Sequence, residues 1–394
     1  MHKPSNALGV ARDRRPSQPV TLVRPHAALR AAQYFVSKFP GTSMYAVKAN
    51  PSPELIRLLW EGGITHFDVA SIAEVRLVRG LLPDATLCFM HPVKAPEAIV
   101  EAYFEHGVRT FSLDSLEELE KIVEATNAAA DLTLCVRLRV SSSHSKLSLA
   151  AKFGVGVDES APLLMAARQA ADALGICFHV GSQAMSPAAY GDAMLLVRAA
   201  IVAAGVTVDV IDVGGGFPSV YPDMEAGPMD RYFEVIHRAF EALPISYSAE
   251  LWCEPGRALS AEYASIVVRV ERRRDDVLFI NDGAYGALFD AAHIDWRFPV
   301  KLLRESHTKE LAFSFYGPTC DDMDFMRGPF MLPADVQAGD YLEIGMLGAY
   351  GSAMRTAFNG FTAGDTVIAT DEPMASAYAD VTEPSRRTVT AIRK

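Results

Sequence analysis

The stretch Thr110-Phe-Ser-Leu-Asp-Ser-Leu-Glu-Glu-Leu-Glu-Lys-Ile-Val-Glu124 consists of a short apolar run followed by an amphipathic pattern. The first part is typical of a buried strand, and the second places apolar residues on one face of a helix with a serine cap. That face and its cap consist of Leu116, Leu119, Ile122, Val123, Ser115 and Glu118. The stretch therefore predicts one strand-helix unit.

Similar units recur between about residue 22 and residue 260. Their strand-like runs include Ser43–Val47, Phe67–Ala70, Thr86–Met90, Thr133–Val140, Gly175–Val180 and Val210–Val213. Repeated units of this length favour a parallel sheet, and about eight of them in one region favour a closed (β/α)8 barrel of the TIM type. An open doubly wound sheet is the alternative.

After about residue 260 the chain changes to β-branched runs separated by turn signals, such as Ala264–Val270 and Val277–Gly283. This pattern of β-branched runs and turns predicts a second, mostly antiparallel β domain. We therefore expect an α/β protein with a barrel over residues 24–259 and a β domain that includes residues 260–394.

Composition limits the classes of partner. The chain has 394 residues and a formal net charge of -11, from 48 acidic and 37 basic residues, which argues against nucleic acid or an anionic membrane as a partner. Apolar stretches such as Ile201–Gly205 are far shorter than the roughly 20 residues of a spanning helix, and residues 1–20 lack the apolar core of a signal peptide. We therefore expect a cytoplasmic protein. The five cysteines lack metal-type spacing, and their odd number does not favour a disulfide framework.

Polar residues interrupt the chain where the predicted strands end. Tyr45-Ala-Val-Lys-Ala-Asn50 closes an apolar run with a single lysine, and comparable positions follow other strands. They are Lys48, Asp68, Arg139, His179 with Gly181 and Ser182, the triplet Gly214, Gly215 and Gly216, and Glu254. In a barrel these ends face the active site. Each residue taken alone also has a structural explanation, such as a helix cap, a core histidine, a tight turn or a local ion pair.

The glycine triplet in Asp212-Val-Gly-Gly-Gly-Phe-Pro218 lets the backbone approach an anion closely. It matches neither a dinucleotide fingerprint nor a Walker loop, so it favours a single phosphate group. A phosphate site, a strand-end lysine and a strand-end glutamate together indicate pyridoxal 5'-phosphate, with Lys48 as the Schiff-base amine and Glu254 facing the ring nitrogen.

The chain resembles the ornithine/lysine decarboxylase branch of the alanine-racemase-fold (fold type III) pyridoxal-phosphate enzymes. The resemblance covers most of the chain and is specific because the motifs occur together and in order. They are Tyr45–Asn50, Phe67–Ser71, His179–Ser182, Asp212–Pro218, Glu254–Arg257, Asn281–Gly286, Gly317–Asp321 and Gly348–Tyr350 with Phe358–Phe361.

The resemblance implies roles for residues of the barrel. Lys48 would carry the cofactor and later move protons, His179 would stack on the ring, and Glu254 would bind the ring nitrogen. Asp68 and Arg139 would support the cofactor and Glu254. The phosphate would be held by Ser182, Gly214, Gly215, Gly216, Arg257 and Tyr350, and Gly256 would also contact the cofactor.

The resemblance also implies a head-to-tail homodimer with shared active sites, and a β domain completed by residues 1–23. Cys320 and Asp321 would come from the partner subunit, the cysteine to protonate Cα and the aspartate to pair with the substrate's distal ammonium. Lys152 and Asp324 resemble a pair that bridges subunits in the family.

One segment departs from the family pattern. Ornithine decarboxylases of the eukaryotic type place a Tyr-Asp pair after the Asp-Gly-x-Tyr-Gly segment, whereas this chain reads Ala287–Pro299 without that pair. Asp290 or Asp295 would supply the second carboxylate for the substrate tail, with His293 in place of the tyrosine. We expect decarboxylation of L-ornithine to putrescine, or of L-lysine to cadaverine.

Three alternatives were compared with this expectation. A racemase of this fold would place an arginine near the ring nitrogen, which Glu254 contradicts. Diaminopimelate decarboxylase shares Glu254–Arg257 and a loop cysteine, and is the second choice. A non-catalytic regulator of the same fold would not be expected to retain Lys48, His179, Glu254 and Cys320 together.

Overall fold

The structure is a computed structural model, which describes residues 6–141, 143–362 and 364–379. The two ends of the predicted β domain, residues 1–5 and 380–394, lie outside the described residues. The first elements are α1 (Ala7–Arg14), β1 (Val20–Val23), α2 (Pro25–Lys38), β2 (Thr42–Ala46), α3 (Pro53–Glu61), β3 (His66–Val69), α4 (Ile72–Leu81), β4 (Thr86–Phe89), α5 (Pro96–Phe104), β5 (Thr110–Leu113), α6 (Leu116–Ala125), β6 (Thr133–Arg137), β7 (Ser145–Leu147), α7 (Ser160–Ala170), β8 (Ala173–Cys177), β9 (Ser182–Ala184), α8 (Ala188–Ala204), β10 (Val210–Asp212), α9 (Met229–Glu241) and β11 (Glu250–Cys253).

The remaining elements belong to the second half of the chain. They are α10 (Arg257–Ser260), β12 (Ala264–Arg274), β13 (Val277–Ile280), α11 (Phe289–His293), β14 (Val300–Leu302), β15 (Glu310–Tyr316), β16 (Phe325–Pro333), β17 (Tyr341–Ile344) and β18 (Thr366–Ile368).

Eight parallel strands form a closed barrel, in the order β2, β3, β4, β5, β6, β8, β10 and β11. Closure is made by β11 and β2, where Trp252 lies opposite Thr42. The strand-helix periodicity therefore predicted the closed barrel correctly, and the open sheet is wrong. The serine cap is confirmed as well, since Ser115 Oγ accepts the Glu118 N–H at 3.2 Å at the start of α6.

Side chains along each barrel strand alternate between two hydrophobic clusters, one between the strands and the surrounding helices and one inside the barrel. Residues such as Leu134 and Val136 of β6 pack outward against the helices. The barrel interior holds a smaller cluster of sulfur-containing and apolar side chains: Met44, Cys88, Met90, Cys135, Cys177, Val210 and Trp252. The interior is therefore filled by these side chains.

The β domain is a sheet with the strand order β14, β17, β12, β13, β15 and β16, and with β1 paired to β12 and to β18. Most pairs are antiparallel, as predicted, but β13 pairs with β15 and β1 with β18 in parallel. Val20 of β1 lies opposite Val267 of β12. A segment before the barrel thus forms part of this sheet.

A buried arginine ties the two domains together between β1 and α2. Arg24 is 1% exposed and donates to Ser265 Oγ at 2.8 Å and to Glu343 Oε1 at 2.9 Å. Its guanidinium also lies 3.0 Å from Asp371. Because a buried charge is stable only when paired, this cluster fixes the β domain on the barrel.

Candidate active site

Lys48 lies in a short 3-10 turn, Val47–Ala49, directly after β2. Its Nζ is 2.9 Å from Oδ2 of Asp68, a residue of β3 that is 2% exposed. Burial lowers the pKa of Lys48, but the carboxylates of Asp68 and Glu254 outweigh that effect and raise the pKa above its ordinary value. In this state Lys48 is an ammonium held in place by Asp68.

Lys48 opens into a cavity of about 350 Å³ at the carboxyl ends of the barrel strands. That volume is within the range of small-molecule sites. Its lining includes Asp68, His91, Arg137, Lys152, Phe153, His179, Ser182, Gly215, Gly216, Glu254, Gly256, Arg257 and Tyr350. The structure thus brings most of the sequence-predicted barrel residues to one cavity.

Glu254 follows β11 directly and is 7% exposed. Its backbone N–H donates to Gly214 O at 2.8 Å, which fixes the glutamate beside the end of β10. Burial raises the pKa of Glu254, and the nearby carboxylates of Asp212 and Asp68 raise it further. A carboxyl group in this position can hydrogen-bond a ring nitrogen within the cavity.

His179 lies beyond β8 with its ring over the glycine triplet. The Gly181 N–H donates to His179 Nδ1 at 3.0 Å, so the proton of the neutral ring is on Nε2. Burial, together with the charges of Arg137 and Lys48, holds the pKa of His179 well below its ordinary value. A neutral imidazole facing the cavity can stack on a planar ring without competing for protons.

The glycine triplet is packed so closely that a side chain at any of its three positions would clash with neighbouring atoms. A Cβ at Gly215 would lie 2.8 Å from Glu254 O and 3.0 Å from His179 Nε2. A Cβ at Gly216, which has φ of +104°, would lie 2.5 Å from Gly181 O. Gly214 has a positive φ as well and turns the chain between β10 and the cavity. Gly215 and Gly216 line the cavity, so the backbone faces it there without side chains.

Arg257 forms the other side of this edge. It donates to Tyr221 Oη at 3.2 Å and to Asp290 Oδ2 at 3.4 Å, and its guanidinium lies 4.4 Å from the Trp296 ring centre and 4.9 Å from that of Tyr350. Its Nε is buried and has no hydrogen-bond partner among the described residues. A buried donor without a partner indicates an absent acceptor.

These residues fit pyridoxal phosphate. The unpaired Arg257 Nε and the open backbone at Gly215 and Gly216 suit a phosphate, and Lys48 supplies an amine. Glu254 and His179 are placed for the ring nitrogen and the ring face. No part of this set requires a metal ion.

One arginine was assigned incorrectly. Arg139 was predicted beside the cofactor, but it is exposed, lies two residues beyond β6, and donates through Nε to Gly154 O at 3.0 Å. The cavity is lined instead by Arg137, the last residue of β6. Arg137 continues the inward-facing positions of the strand after Cys135, but Arg139 has the same alternation, so only the end of β6 at Arg137 distinguishes the two arginines.

The predicted tail carboxylates do not reach the cavity. Asp290 lies in α11 and is turned toward Arg257, so it belongs to the phosphate edge. Asp295 is exposed in a turn with φ of +51°, and the exposed His293 packs on Phe289 with ring centres 4.2 Å apart. The short helix α11 directs Asp290 inward and Asp295 outward. Sequence reasoning also missed Tyr221 and Trp296, which are distant in sequence and enclose Arg257.

Cys320 and Asp321 do not line the Lys48 cavity. They border a separate depression of about 820 Å³ on the β domain, and Cys320 is exposed. Three contacts fix their loop: the Tyr285 hydroxyl donates to Asp321 Oδ2, the Cys320 N–H donates to Asn359 Oδ1 at 3.1 Å, and the Met323 N–H donates to Asp321 Oδ1 at 3.0 Å. The loop is therefore ordered before it meets any partner.

Asp324 is buried within the same loop. Its carboxylate accepts N–H groups of Ala284 and Thr319 and the Thr319 hydroxyl, at 2.6, 3.0 and 2.8 Å. Lys152 is exposed at the rim of the barrel cavity, with Nζ 4.8 Å from the Phe153 ring centre. Because Asp324 is 0% exposed, it is not available to bridge to Lys152 of another subunit, and the predicted pair is wrong.

Comparison with known proteins identifies the class. The model "Pyridoxal-dependent decarboxylase, pyridoxal binding domain" matches residues 26–261, and the model "Pyridoxal-dependent decarboxylase, C-terminal sheet domain" matches residues 178–348. The chain belongs to the pyridoxal-dependent decarboxylases. It is a pyridoxal-phosphate-dependent amino-acid decarboxylase with a fold type III barrel, as the sequence predicted.

Individual relatives narrow the branch. A lysine/ornithine decarboxylase of Selenomonas ruminantium is 34% identical over 340 residues, which cover 84% of this chain and 84% of the relative. A solved lysine decarboxylase from the same organism has a TM-score of 0.80 and 29% identity over 92% of this chain and 94% of that chain. The arginine decarboxylase of Paramecium bursaria Chlorella virus, bound to agmatine, has a TM-score of 0.80 and 26% identity over 91% of this chain and 98% of that chain. The chain is similar to decarboxylases named for three basic amino acids.

No helix within residues 6–141, 143–362 and 364–379 is long and apolar enough to cross a bilayer.

Proposed function

We propose that the protein decarboxylates a basic amino acid, with L-ornithine to putrescine as the favoured reaction and L-lysine to cadaverine as the second. The observation that carries the proposal is the half-buried Asp321 carboxylate, which the Tyr285 hydroxyl orients and which follows the exposed Cys320 directly in the chain. A carboxylate suits the distal ammonium of a diamine product. The names of the relatives support the same substrate class.

We also propose that the active site is shared between two copies of the chain. The Lys48 cavity contains Asp68 and Glu254, but both are turned to Lys48 and to the ring position, so neither remains for a substrate tail. Asp290 is paired with Arg257. The Cys320 loop of a second copy would supply both the tail carboxylate and the thiol. This arrangement requires a homodimer.

When bound, pyridoxal phosphate supplies an electron sink for the carbanion that forms at Cα as carbon dioxide leaves. The residues of the chain hold this chemistry in place. Lys48 Nζ would hold the cofactor, and Asp68 orients the lysine. Arg257, Ser182 and the Gly215 and Gly216 backbone would hold its phosphate.

Two groups control where protons go. Glu254 would bind the ring nitrogen and favour its protonated form, which would strengthen the electron sink. The Cys320 thiol of the second copy returns a proton to Cα, while His179 covers one face of the ring. His179 Nδ1 accepts a hydrogen bond from the Gly181 N–H, so it is not free to accept a proton from the substrate. The histidine would therefore position the ring and not act as a base.

The test is a product assay on purified protein with pyridoxal phosphate. L-Ornithine, L-lysine, L-arginine and meso-diaminopimelate are offered separately, and carbon dioxide is recorded with the amine formed. Putrescine or cadaverine supports the proposal, whereas lysine formed from diaminopimelate contradicts it.

A matched pair of variants tests the role of Asp321. Asp321→Asn removes the tail carboxylate and should raise KM for the basic substrate much more than it changes KM for the cofactor. Asp322→Asn is the control, because Asp322 is an adjacent carboxylate outside the proposed contact. Equal KM values for the two variants would remove Asp321 from substrate binding.

A further inference from the structure

Asp212 and Glu254 bring two carboxyl groups together at the carboxyl end of the barrel. Asp212 is the last residue of β10 and lies opposite Trp252 of the neighbouring strand β11. Glu254 follows Trp252 by two residues along the chain. Side chains two residues apart along a strand point to the same side, so both carboxyl groups face the barrel interior. Asp212 is 0% exposed and Glu254 is 7% exposed.

The hydrogen bonds of Asp212 account for only one of its oxygens. Oδ1 accepts the Gly214 N–H at 2.9 Å. Oδ2 is buried and accepts no N–H or O–H among the described residues. The neighbouring side chain within hydrogen-bonding reach is Glu254, which in its ionised form has no hydrogen to donate. Two carboxyl groups can hydrogen-bond only when one of them carries a proton.

The surrounding charges agree with one proton on this pair. Two cations, Lys48 and Arg137, and one further carboxylate, Asp68, act on the two groups. If both members of the pair were ionised, three buried anions would face two cations. One retained proton gives two negative charges and two positive charges. The neutral thiols around Asp212 are those of Cys88, Cys135, Cys177 and Cys253, whose pKa values burial raises.

We propose that Asp212 and Glu254 share a single proton, and that Asp212 is thereby a positioning residue that holds the Glu254 carboxyl group toward the ring nitrogen of the cofactor. The assignment rests on the proposed function only for the direction in which Glu254 points. The proton itself follows from the arrangement of the two side chains. Like-charged groups this close and this buried cannot both ionise, so the pair titrates as a unit.

Burial supports this assignment independently of the hydrogen-bond count. It raises the pKa of Asp212 to about 6, even though the Glu254 hydrogen bond acts in the opposite direction. Burial also raises the pKa of Glu254, and Asp212 adds to that rise. With one proton retained, the pair carries a single negative charge.

The test is infrared difference spectroscopy on the full-length protein with the cofactor removed, at pH 7. The carbonyl stretch of a protonated carboxylic acid is recorded for the wild type and for two variants, Asp212→Asn and Glu254→Gln. In each variant the new amide donates a hydrogen bond, so the remaining carboxyl group can ionise. We expect the acid band to be lost in both variants.

Each other outcome overturns the proposal. Loss of the band in only one variant would mean that one residue keeps the proton without its neighbour. No loss in either variant would mean that the acid band does not come from a proton shared by the pair. Asp290→Asn is the control and should retain the band, because Asp290 is a buried carboxylate paired with Arg257. If Asp212→Asn does not fold, Asp212→Ser, which keeps an oxygen for the Gly214 N–H, takes its place.

Activity of the cofactor-loaded enzyme gives a second readout. Asp212→Asn retains a donor to Glu254, and we expect its kcat to remain within about threefold of wild type, whereas Asp212→Leu loses the donor and should fall by more than about tenfold. Equal losses in the two variants would reject the positioning role. The infrared result does not depend on substrate, so failure of the product assay and failure of this proposal are separate events.

Discussion

Arg257 and Asp290 form a buried ion pair whose members can be separated by mutation. Their side chains are 5% and 11% exposed, and the N–O distance is 3.4 Å. Arg257→Met keeps an apolar chain between the Trp296 and Tyr350 rings but leaves Asp290 buried without its cation. Breaking a buried pair in this way costs about 3 to 5 kcal/mol, and the long distance favours the lower value, about 3 kcal/mol.

The double variant Arg257→Met with Asp290→Asn removes the unpaired charge, so most of this loss should be recovered. Cofactor affinity should not recover, because the guanidinium that faces the phosphate is still absent. Hydrogen bonds to a charged group contribute roughly 1.5 to 3 kcal/mol, which corresponds to about a tenfold to hundredfold rise in Kd. Stability and cofactor binding should therefore separate in this pair of variants.

Stability is measured by urea unfolding of the cofactor-free protein at pH 8 and fixed protein concentration, and affinity by titration with pyridoxal phosphate. Asp290→Asn alone is the control for the loss of the carboxylate. The reasoning is refuted if Arg257→Met is as stable as wild type, or if the double variant binds the cofactor as tightly as wild type. The second result would mean that Arg257 serves only to pair Asp290.

Three other predictions follow from single contacts. Lys48→Ala should abolish covalent retention of the cofactor after borohydride reduction, measured by mass spectrometry of the intact chain; retention in the variant would contradict the role of Lys48. Tyr285→Phe removes the hydroxyl that holds the pKa of Asp321 below its ordinary value, so the acid limb of the kcat/KM profile should move to higher pH, while Tyr316→Phe should leave it in place. Burial lowers the pKa of Lys94 from 10.5 to about 8, so the folded state loses this proton at a lower pH than the unfolded state does. Between about pH 8 and pH 10.5 the unfolded state therefore binds more protons, and the free energy of unfolding of the wild type should rise relative to that of Lys94→Met. A falling or flat difference in urea unfolding across that window would contradict the assignment for Lys94.

The barrel and its strand-end residues could be predicted because periodicity and position determine them together. A polar residue after a buried parallel strand must lie at the carboxyl end of the barrel, and Lys48, His179 and Glu254 all satisfy that condition. The glycines of Asp212–Pro218 indicated a close approach of the backbone, and the cavity contains Gly215 and Gly216. These features depend on neighbours in the sequence.

The errors fall where local sequence gives two equivalent choices. In Val136-Arg-Leu-Arg-Val140 both arginines have the same alternation, and only the end of β6 at Arg137 decides which one enters the barrel. Asp290 and Asp295 differ by slightly more than one helical turn, and only packing against Arg257 shows which one is buried. Such choices depend on contacts between segments far apart in sequence.

Buried carboxyl groups were the hardest to place from sequence. Asp324 occurs in a polar loop, yet its carboxylate is enclosed by Gly283, Gly317 and Thr319 of its own chain. A Cβ at Gly317 would lie 2.1 Å from Asp324 Oδ1, so the glycines make room for the aspartate. The backbone donors of the loop require this buried acceptor, and they are brought together only by the fold.

The central claim is that Lys48 of one chain and Cys320 of another form one active site. The most direct measurement mixes Lys48→Ala and Cys320→Ala subunits in equal amounts, demonstrates subunit exchange, and records putrescine from L-ornithine or cadaverine from L-lysine. Half of the dimers are then mixed, and each has one complete site, so the account predicts a gain of about one quarter of wild-type activity over the separate variants. No gain after complete exchange would contradict a shared site and place both residues in the same chain's active centre.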